Sequence, residues 1–206
     1  MAKKSFVYRN IFIYRAIMNL LYLGNYKKRF EPVVEEIRSL PTGSRVLELC
    51  FGDILLADFC RKAGIQWTGL DINTDFVTSA RKKGYSAHEA DLTKLKELPT
   101  AELCVMMGSL YHFHGCAEAL LGKMLKTSKA IVLSEPVANF SSRGGLIGLL
   151  ARRGANAGKG NEVFRYNRES LMRLLHDNSH ILRYRITSVQ DQGKDLIVKL
   201  IKDENG

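Results

Sequence analysis

The sequence predicts an α/β fold with a doubly wound, mostly parallel seven-stranded sheet. Three observations predict it. Residues 45–73, RVLELCFGDILLADFCRKAGIQWTGLDIN, read as strand, tight turn, helix and second strand within about thirty residues. That is a βαβ unit, whose strands pair in parallel. Apolar runs then alternate with helical patterns as far as Ser134. Beyond residue 180, two β-rich stretches at 181–189 and 195–202 flank the turn Asp191-Gln192-Gly193-Lys194, which reads as a terminal antiparallel hairpin.

Each element has its own signal. Residues 11–23 are apolar but broken by Arg15 and Asn19, and too short to span a bilayer. They read as one or two helices capping the top of the sheet. Pro32 followed by Val33, Val34, Ile37 and Leu40 gives a further helix, and Pro41-Thr42-Gly43 a turn. The first strand is 46–49 and the first crossover helix 54–63, stopped by Gly64. Asn73 caps a helix over 74–83 that Gly84 ends. Residues 85–90 form a third strand, and the apolar run 101–107 a fourth, buried on both faces. A helix over 116–125 precedes the fifth strand, 129–134, and Asn167 caps a helix carrying Leu171, Leu174 and Leu175. Two regions follow: an N-terminal helical cap, 1–43, and a main domain, 44–206. The second holds a Gly- and Arg-rich insert at about 137–165.

In an open parallel sheet, ligands bind outside the carboxyl ends of the strands. Gly52 and Asp71 both lie at such ends. A glycine in the first turn admits a ligand close to the backbone. An acid closing the second strand accepts hydrogen bonds from a ribose diol. The phosphate-cradling pattern G-x-G-x-x-G is absent, and Asp53 and Asp58 put negative charge where a pyrophosphate would rest. A nucleoside-type ligand without phosphate is the expectation.

Glu48, Gly52 and Asp71, with their spacing, resemble motif I and the acidic second-strand end of the class I S-adenosylmethionine-dependent methyltransferases, of the methyltransferase-11-like kind. Cys50 and Ile54 stand where that motif has its first and third glycines. The resemblance covers about residues 44–202. It implies the Rossmann-like methyltransferase fold, with S-adenosyl-L-methionine as cofactor and S-adenosyl-L-homocysteine as product. It implies that the cofactor lies across Gly52, with Asp71 on the ribose, Asp91 on the adenine and Glu48 at the methionine end. Cys50, Ile72, Leu92, Met107 and Tyr26 complete the expected cofactor site. The run Gly108-Ser109-Leu110-Tyr111-His112-Phe113-His114 follows the fourth strand, where such enzymes place acceptor contacts. His112 is the first choice of general base, since imidazole titrates near neutrality, with Tyr111 and His114 beside it. Two histidines without a third ligand do not make a metal site.

The four cysteines show no paired metal spacing and read as reduced core thiols of a cytoplasmic protein. No cleavage pattern of a signal peptide follows the apolar segment. The net charge of +10 is unevenly spread. Residues 1–40 carry eight Lys/Arg against three Asp/Glu, and residues 143–185 nine against three; residues 41–142 balance at eleven of each. The basicity thus lies in the cap and around the insert, outside a neutral core. If both segments border one cleft, the acceptor is a small anionic or lipid-linked molecule, methylated on oxygen or nitrogen. Apolar Leu146, Ile147, Leu149 and Leu150 beside those bases favour it over nucleic acid. Three alternatives stand beside that reading: a nucleic-acid methyltransferase or binder, a non-catalytic protein of this fold, and a cap that also contacts a membrane surface. Oligomeric state is not legible.

Overall fold

The computed structural model describes residues 11–137 and 164–203. Among them the strands are β1 Arg45–Leu49, β2 Gln66–Asp71, β3 Ser86–Glu89, β4 Ala101–Met107, β5 Ser128–Pro136, β6 Tyr184–Gln192 and β7 Asp195–Lys202. They form one sheet of order β3-β2-β1-β4-β5-β7-β6. The first five are parallel, and β7 runs antiparallel to both β5 and β6. The predicted doubly wound sheet with a terminal hairpin is therefore the observed one. The order reverses between β1 and β4, so their carboxyl ends open a crevice at the switch point.

Helices cover both faces. On one face α2 (Glu31–Arg38), α3 (Leu55–Lys62) and α4 (Thr74–Lys82) bury Val33, Ile37, Leu56, Ala57, Phe76 and Val77 against Val46, Leu103, Val105 and Val132. On the other, α5 (Ala117–Thr127) and a long C-terminal helix, α6 (Arg168–Leu182), bury Leu120, Leu121, Met124, Leu171 and Leu175 against Leu47, Leu49, Met106 and Leu133. Each fully buried Leu or Ile contributes about 1.5–3 kcal/mol relative to exposure. The helix α1 (Ile11–Leu21) and a 3₁₀ turn at Tyr26–Phe30 form the expected cap, and Tyr14, Met18 and Tyr22 pack on the α2–α4 layer. Residues 138–163 of the insert, Arg143, Arg152 and Arg153 among them, lie outside the described residues.

One element departs from expectation. The stretch taken as β-rich from residue 181 begins as helix: α6 continues through Leu182, and Arg183, at φ 54°, ends it before β6 starts at Tyr184. No breaker stands between Leu175 and Leu182. Asn178, which favours turns, is instead satisfied within the helix by donating to the Leu174 carbonyl at 2.9 Å. The predicted capping at Asn167 is present and reciprocal: its side chain accepts from the Ser170 N–H, and the Ser170 hydroxyl accepts from the Asn167 N–H.

Candidate active site

The crevice is floored by the turn after β1. The Cys50 N–H donates to the Leu70 carbonyl at 2.7 Å, tying this turn to β2. Cys50 has φ 56°, the left-handed conformation that suits the glycine of the motif. A side chain there costs about 1–2 kcal/mol, which the surrounding sheet sustains. Cys50 is half-buried, and the pKa of its thiol is pushed well up, first by desolvation and then by Asp71, Glu135, Asp91 and Glu48. The four acids that act on it stand within β1, at the end of β2, just after β3 and near the end of β5. Ile54 shows no such strain: it has φ −98° and caps α3, fully buried, with its N–H donating to Asp53 Oδ1 at 2.7 Å.

Glu48 is buried inside β1 and accepts from the Trp67 indole N–H at 2.8 Å. Burial pushes its carboxyl up to about 8 against that hydrogen bond, and the negative neighbours Asp53 and Asp71 add to the rise. Asp71 closes β2, and its Oδ1 accepts from the Asn73 N–H at 2.7 Å. Ile72 beside it is 38% exposed, an apolar surface at the crevice edge. Asp91 follows the end of β3, and its Oδ1 accepts from the N–H and hydroxyl of Thr93, a local turn. Leu92 is buried in the core layer with Leu49 and Leu70, and Met107 is half-buried at the end of β4.

The cap lies directly on this floor. A methyl group built on Gly52 would stand 2.5 Å from Tyr14 Cζ and closer still to its hydroxyl, so only glycine permits this approach. One residue on, Arg15 forks onto the buried Asp53, with Nε 2.9 Å from Oδ2 and Nη2 2.5 Å from Oδ1. Tyr26 is buried; its ring meets Phe30 edge-on at 5.3 Å and its hydroxyl interacts with Tyr14. It thus reaches the crevice through Tyr14. Gly52→Ala is expected to dislodge Tyr14 and loosen α1, read as faster limited proteolysis after Arg15, Lys27 or Lys28. Adding Tyr14→Ala should restore most of the protection.

The loop after β4 is pinned from beneath. Glu135, 1% exposed at the end of β5, accepts the N–H groups of Ser109 and Leu110 on Oε1 at 2.7 and 2.6 Å. Burial pushes its carboxyl up to about 7 against these two hydrogen bonds. The next residues form a 3₁₀ turn, Leu110–Phe113. Tyr111 is buried, with the half-buried His112 ring 4.0 Å from its own. His114 is exposed, its Nδ1 3.2 Å from the Tyr111 carbonyl, and its ring stacks on Phe164 at 4.5 Å. Arg165 lies over the Tyr111 ring at 3.7 Å. The chain thus leaves β5 and returns, after the insert, onto this loop. Among the described residues, no cluster of His, Cys, Asp and Glu is arranged to hold a metal ion. No described helix is long and apolar enough to cross a membrane.

The sequence placed Glu48, Cys50, Gly52, Asp71 and Asp91 at the strand ends where the structure gathers them. It did not single out Asp195, which starts β7 yet takes both Tyr22 (hydroxyl to Oδ1, 2.9 Å) and Arg29 (Nε to Oδ2, 3.0 Å). In sequence Asp195 reads only as the first residue of the second hairpin strand. Glu135-Pro136 reads in sequence as the end of the fifth strand on the ligand side, and the structure adds the partners that Glu135 holds there.

No known family profile matches the chain, and no curated protein matches it in sequence. Solved structures do. Magnesium protoporphyrin IX methyltransferase from Synechocystis PCC 6803, with bound S-adenosylmethionine, superposes with a TM-score of 0.59 at 15% identity over 87% of this chain and 80% of that one. Human N-acetylserotonin methyltransferase, also in complex with S-adenosylmethionine, gives 0.63 at 18% identity over 95% of this chain and 57% of that one. An S-adenosylmethionine-dependent methyltransferase from Mesorhizobium loti gives 0.62 at 17% identity over 84% and 98%. At these identities the likeness is one of fold. The chain has the class I methyltransferase fold.

Proposed function

We propose that this protein is an S-adenosylmethionine-dependent methyltransferase acting on a small anionic or lipid-linked acceptor. The observation that carries the reading is the ring of carboxylates around the β1 turn, Glu48, Asp71, Asp91 and Glu135, in a fold of this class. Acids in this place disfavour a pyrophosphate and, when ionised, attract a sulfonium and an ammonium. In this reading Asp71 takes the ribose diol, Ile72 the adenine face and Asp91 its amino group. Leu92 and Met107 back the ring from the core, and Cys50, Gly52 and Glu48 floor the methionine end. Tyr14 covers Gly52 in this conformation, so α1 lifts or shifts to admit the ligand.

S-adenosylmethionine supplies an electrophilic methyl, and the chain's own task is positioning. Glu135 fixes the backbone of Ser109 and Leu110, immediately before Tyr111 and His112. For a hydroxyl acceptor, His112 is the residue that would take the proton. For an acceptor that is already nucleophilic, Tyr111, His112 and His114 shape the pocket. The anionic character of the acceptor rests on the basic insert, whose returning end seats Phe164 on His114 and Arg165 on Tyr111. Neutralising Arg143, Arg152 and Arg153 together should raise the acceptor KM about tenfold or more with cofactor affinity unchanged. An unchanged KM would remove the insert from acceptor binding.

A second reading is a non-catalytic protein of this fold, and one observation favours it: the Tyr14 ring already occupies the approach to Gly52. Calorimetric titration with S-adenosylmethionine and S-adenosylhomocysteine separates the two. Micromolar binding of either supports the enzyme; no binding of either at millimolar concentration selects the second reading.

A further inference from the structure

Trp67 is the chain's single tryptophan, and it is buried in β2, the strand that Asp71 closes. Its surroundings follow from the register of the sheet. Glu48 of β1 pairs with Gly69 of β2, and Trp67 stands two residues before Gly69. Residues two apart on a strand share a face, and so do paired residues of neighbouring strands. Trp67, Gly69 and Glu48 therefore all face the layer of α2, α3 and α4, with Val46. A methyl group built on Gly69 would stand 2.5 Å from Cζ2 of the Trp67 ring, closer still to its Cη2, and 2.6 Å from Phe51 Cδ1. The indole thus lies along β2, across the space that a side chain at position 69 would fill. That brings its N–H to Glu48 Oε2 at 2.8 Å.

Other rings hold the indole in this line. Phe51, in the turn after β1, meets it edge-on at 5.2 Å, and Tyr85 does so at 5.8 Å. Tyr85 is itself fixed: its hydroxyl donates to Asp58, and the Arg61 guanidinium lies 3.7 Å from its ring centre. Among the described residues, the indole N–H is the one hydrogen-bond donor to the Glu48 side chain. Burial disfavours the ionised form of Glu48, and the indole N–H works against that. Asp53 of the turn and Asp71 at the end of β2 add to the burial effect, and Arg29 of the cap offsets it. The Cys50 and Cys60 thiols sense the Glu48 charge in turn.

We propose that Trp67 is a positioning residue of the cofactor site: reaching across Gly69, its indole holds the Glu48 carboxyl in place and lets it meet a cationic ligand in the ionised form. The inference rests on the methyltransferase reading for the identity of that ligand. Trp67 acts through Glu48 and not by contact with the ligand. Without the indole N–H, the carboxyl keeps its proton to higher pH, because a buried acid that loses its donor is left with burial, Asp53 and Asp71 against it. That proton must then leave to solvent before the acid can pair with a sulfonium or an ammonium.

The test compares wild type, Trp67→Phe and Tyr85→Phe by calorimetric titration with S-adenosylmethionine from about pH 6 to about pH 9, with folding checked by circular dichroism. Tyr85→Phe removes a hydroxyl from the same cluster of rings but leaves the donor to Glu48. Trp67→Phe should bind about tenfold more weakly near pH 7, the worth of one hydrogen bond to a charged group. The gap should close as the pH climbs past about 9, and Tyr85→Phe should keep the wild-type profile. Fluorescence of the lone tryptophan reads the same contact without replacing it. Wild-type emission should change between about pH 7 and 9, where Glu48 titrates, and Glu48→Gln should abolish that change. Saturating S-adenosylmethionine near neutral pH should also move the wild-type emission. A folded Trp67→Phe whose affinity falls equally at every pH, or not at all, overturns the inference and leaves the methyltransferase reading standing. So does a wild-type emission that neither pH nor S-adenosylmethionine moves, and if Trp67→Phe does not fold, the emission alone decides. If wild type binds no S-adenosylmethionine at millimolar concentration, the reading itself falls and the positioning role with it.

Discussion

Asp71→Ala is expected to weaken S-adenosylmethionine binding by about a hundredfold, the loss of two hydrogen bonds to a charged acceptor at roughly 1.5 kcal/mol each. The prediction follows from where the side chain stands. Asp71 closes β2 at the switch-point crevice, is buried, and is held by the Asn73 N–H on Oδ1. A carboxylate fixed in this way loses little freedom when it meets a ribose diol. Asp71→Asn separates charge from shape. It keeps an acceptor for the Asn73 N–H but turns the other oxygen into a donor, so its loss should be nearer tenfold. Asp75→Ala, an exposed acid in the first turn of α4, is the control and should bind as wild type does. Calorimetry with S-adenosylhomocysteine gives the same ranking if the diol is the contact. A folded Asp71→Ala protein with wild-type affinity would remove the ribose assignment, and with it the placement of the nucleoside over β1 and β2.

The same residues show what the sequence could and could not convey. The sheet was legible because each strand is a short apolar run closed by turn residues, and because the βαβ unit fixes parallel pairing. Glu48, Gly52 and Asp71 were legible because they belong to one contiguous stretch and mark strand ends. The end of α6 was not: from Ile181 onward, β-branched and aromatic residues suggested strand, while the helix was stopped only by a left-handed Arg183 that no glycine announced. The pairing of Arg29 with Asp195 was not legible either. It joins residues 166 positions apart, and although Arg29 reads as a cap residue near the cleft, nothing in its local sequence points to Asp195. Tyr14 on Gly52 is of the same kind. The glycine was expected to admit a ligand, and the structure shows that the cap uses the same opening. Contacts between the N-terminal cap and the terminal hairpin are set by tertiary packing, which periodicity does not encode.

Raising the pH should destabilise this fold and tighten its grip on a cationic ligand within the same window. Burial raises the folded-state pKa of Glu48 to about 8 and of Glu135 to about 7, above the 4.5 of an unperturbed glutamate. A carboxyl whose folded pKa is raised contributes stability that is fully present below about 4.5 and is lost as the pH climbs through 7 and 8. For Glu48 the loss is of the order of a few kcal/mol. The urea midpoint should therefore fall between pH 5.5 and 8.5, and Glu48→Gln should flatten part of that fall. The difference between wild type and Glu48→Gln isolates this group from the histidines, which titrate in the same range. A cation entering the ring reverses the balance, because it favours the ionised carboxyl that burial disfavours. Affinity for S-adenosylmethionine should rise across pH 6 to 8.5, by at most about tenfold per pH unit for one coupled proton. S-adenosylhomocysteine lacks the sulfonium charge and should show a shallower slope, and Glu48→Gln should lower the slope for both. Equal, flat affinities for the two ligands across this range would mean that the buried acids do not sense the ligand's charge. The carboxylate ring would then be a structural feature of the sheet end, and the case for a sulfonium cofactor would rest on the fold alone.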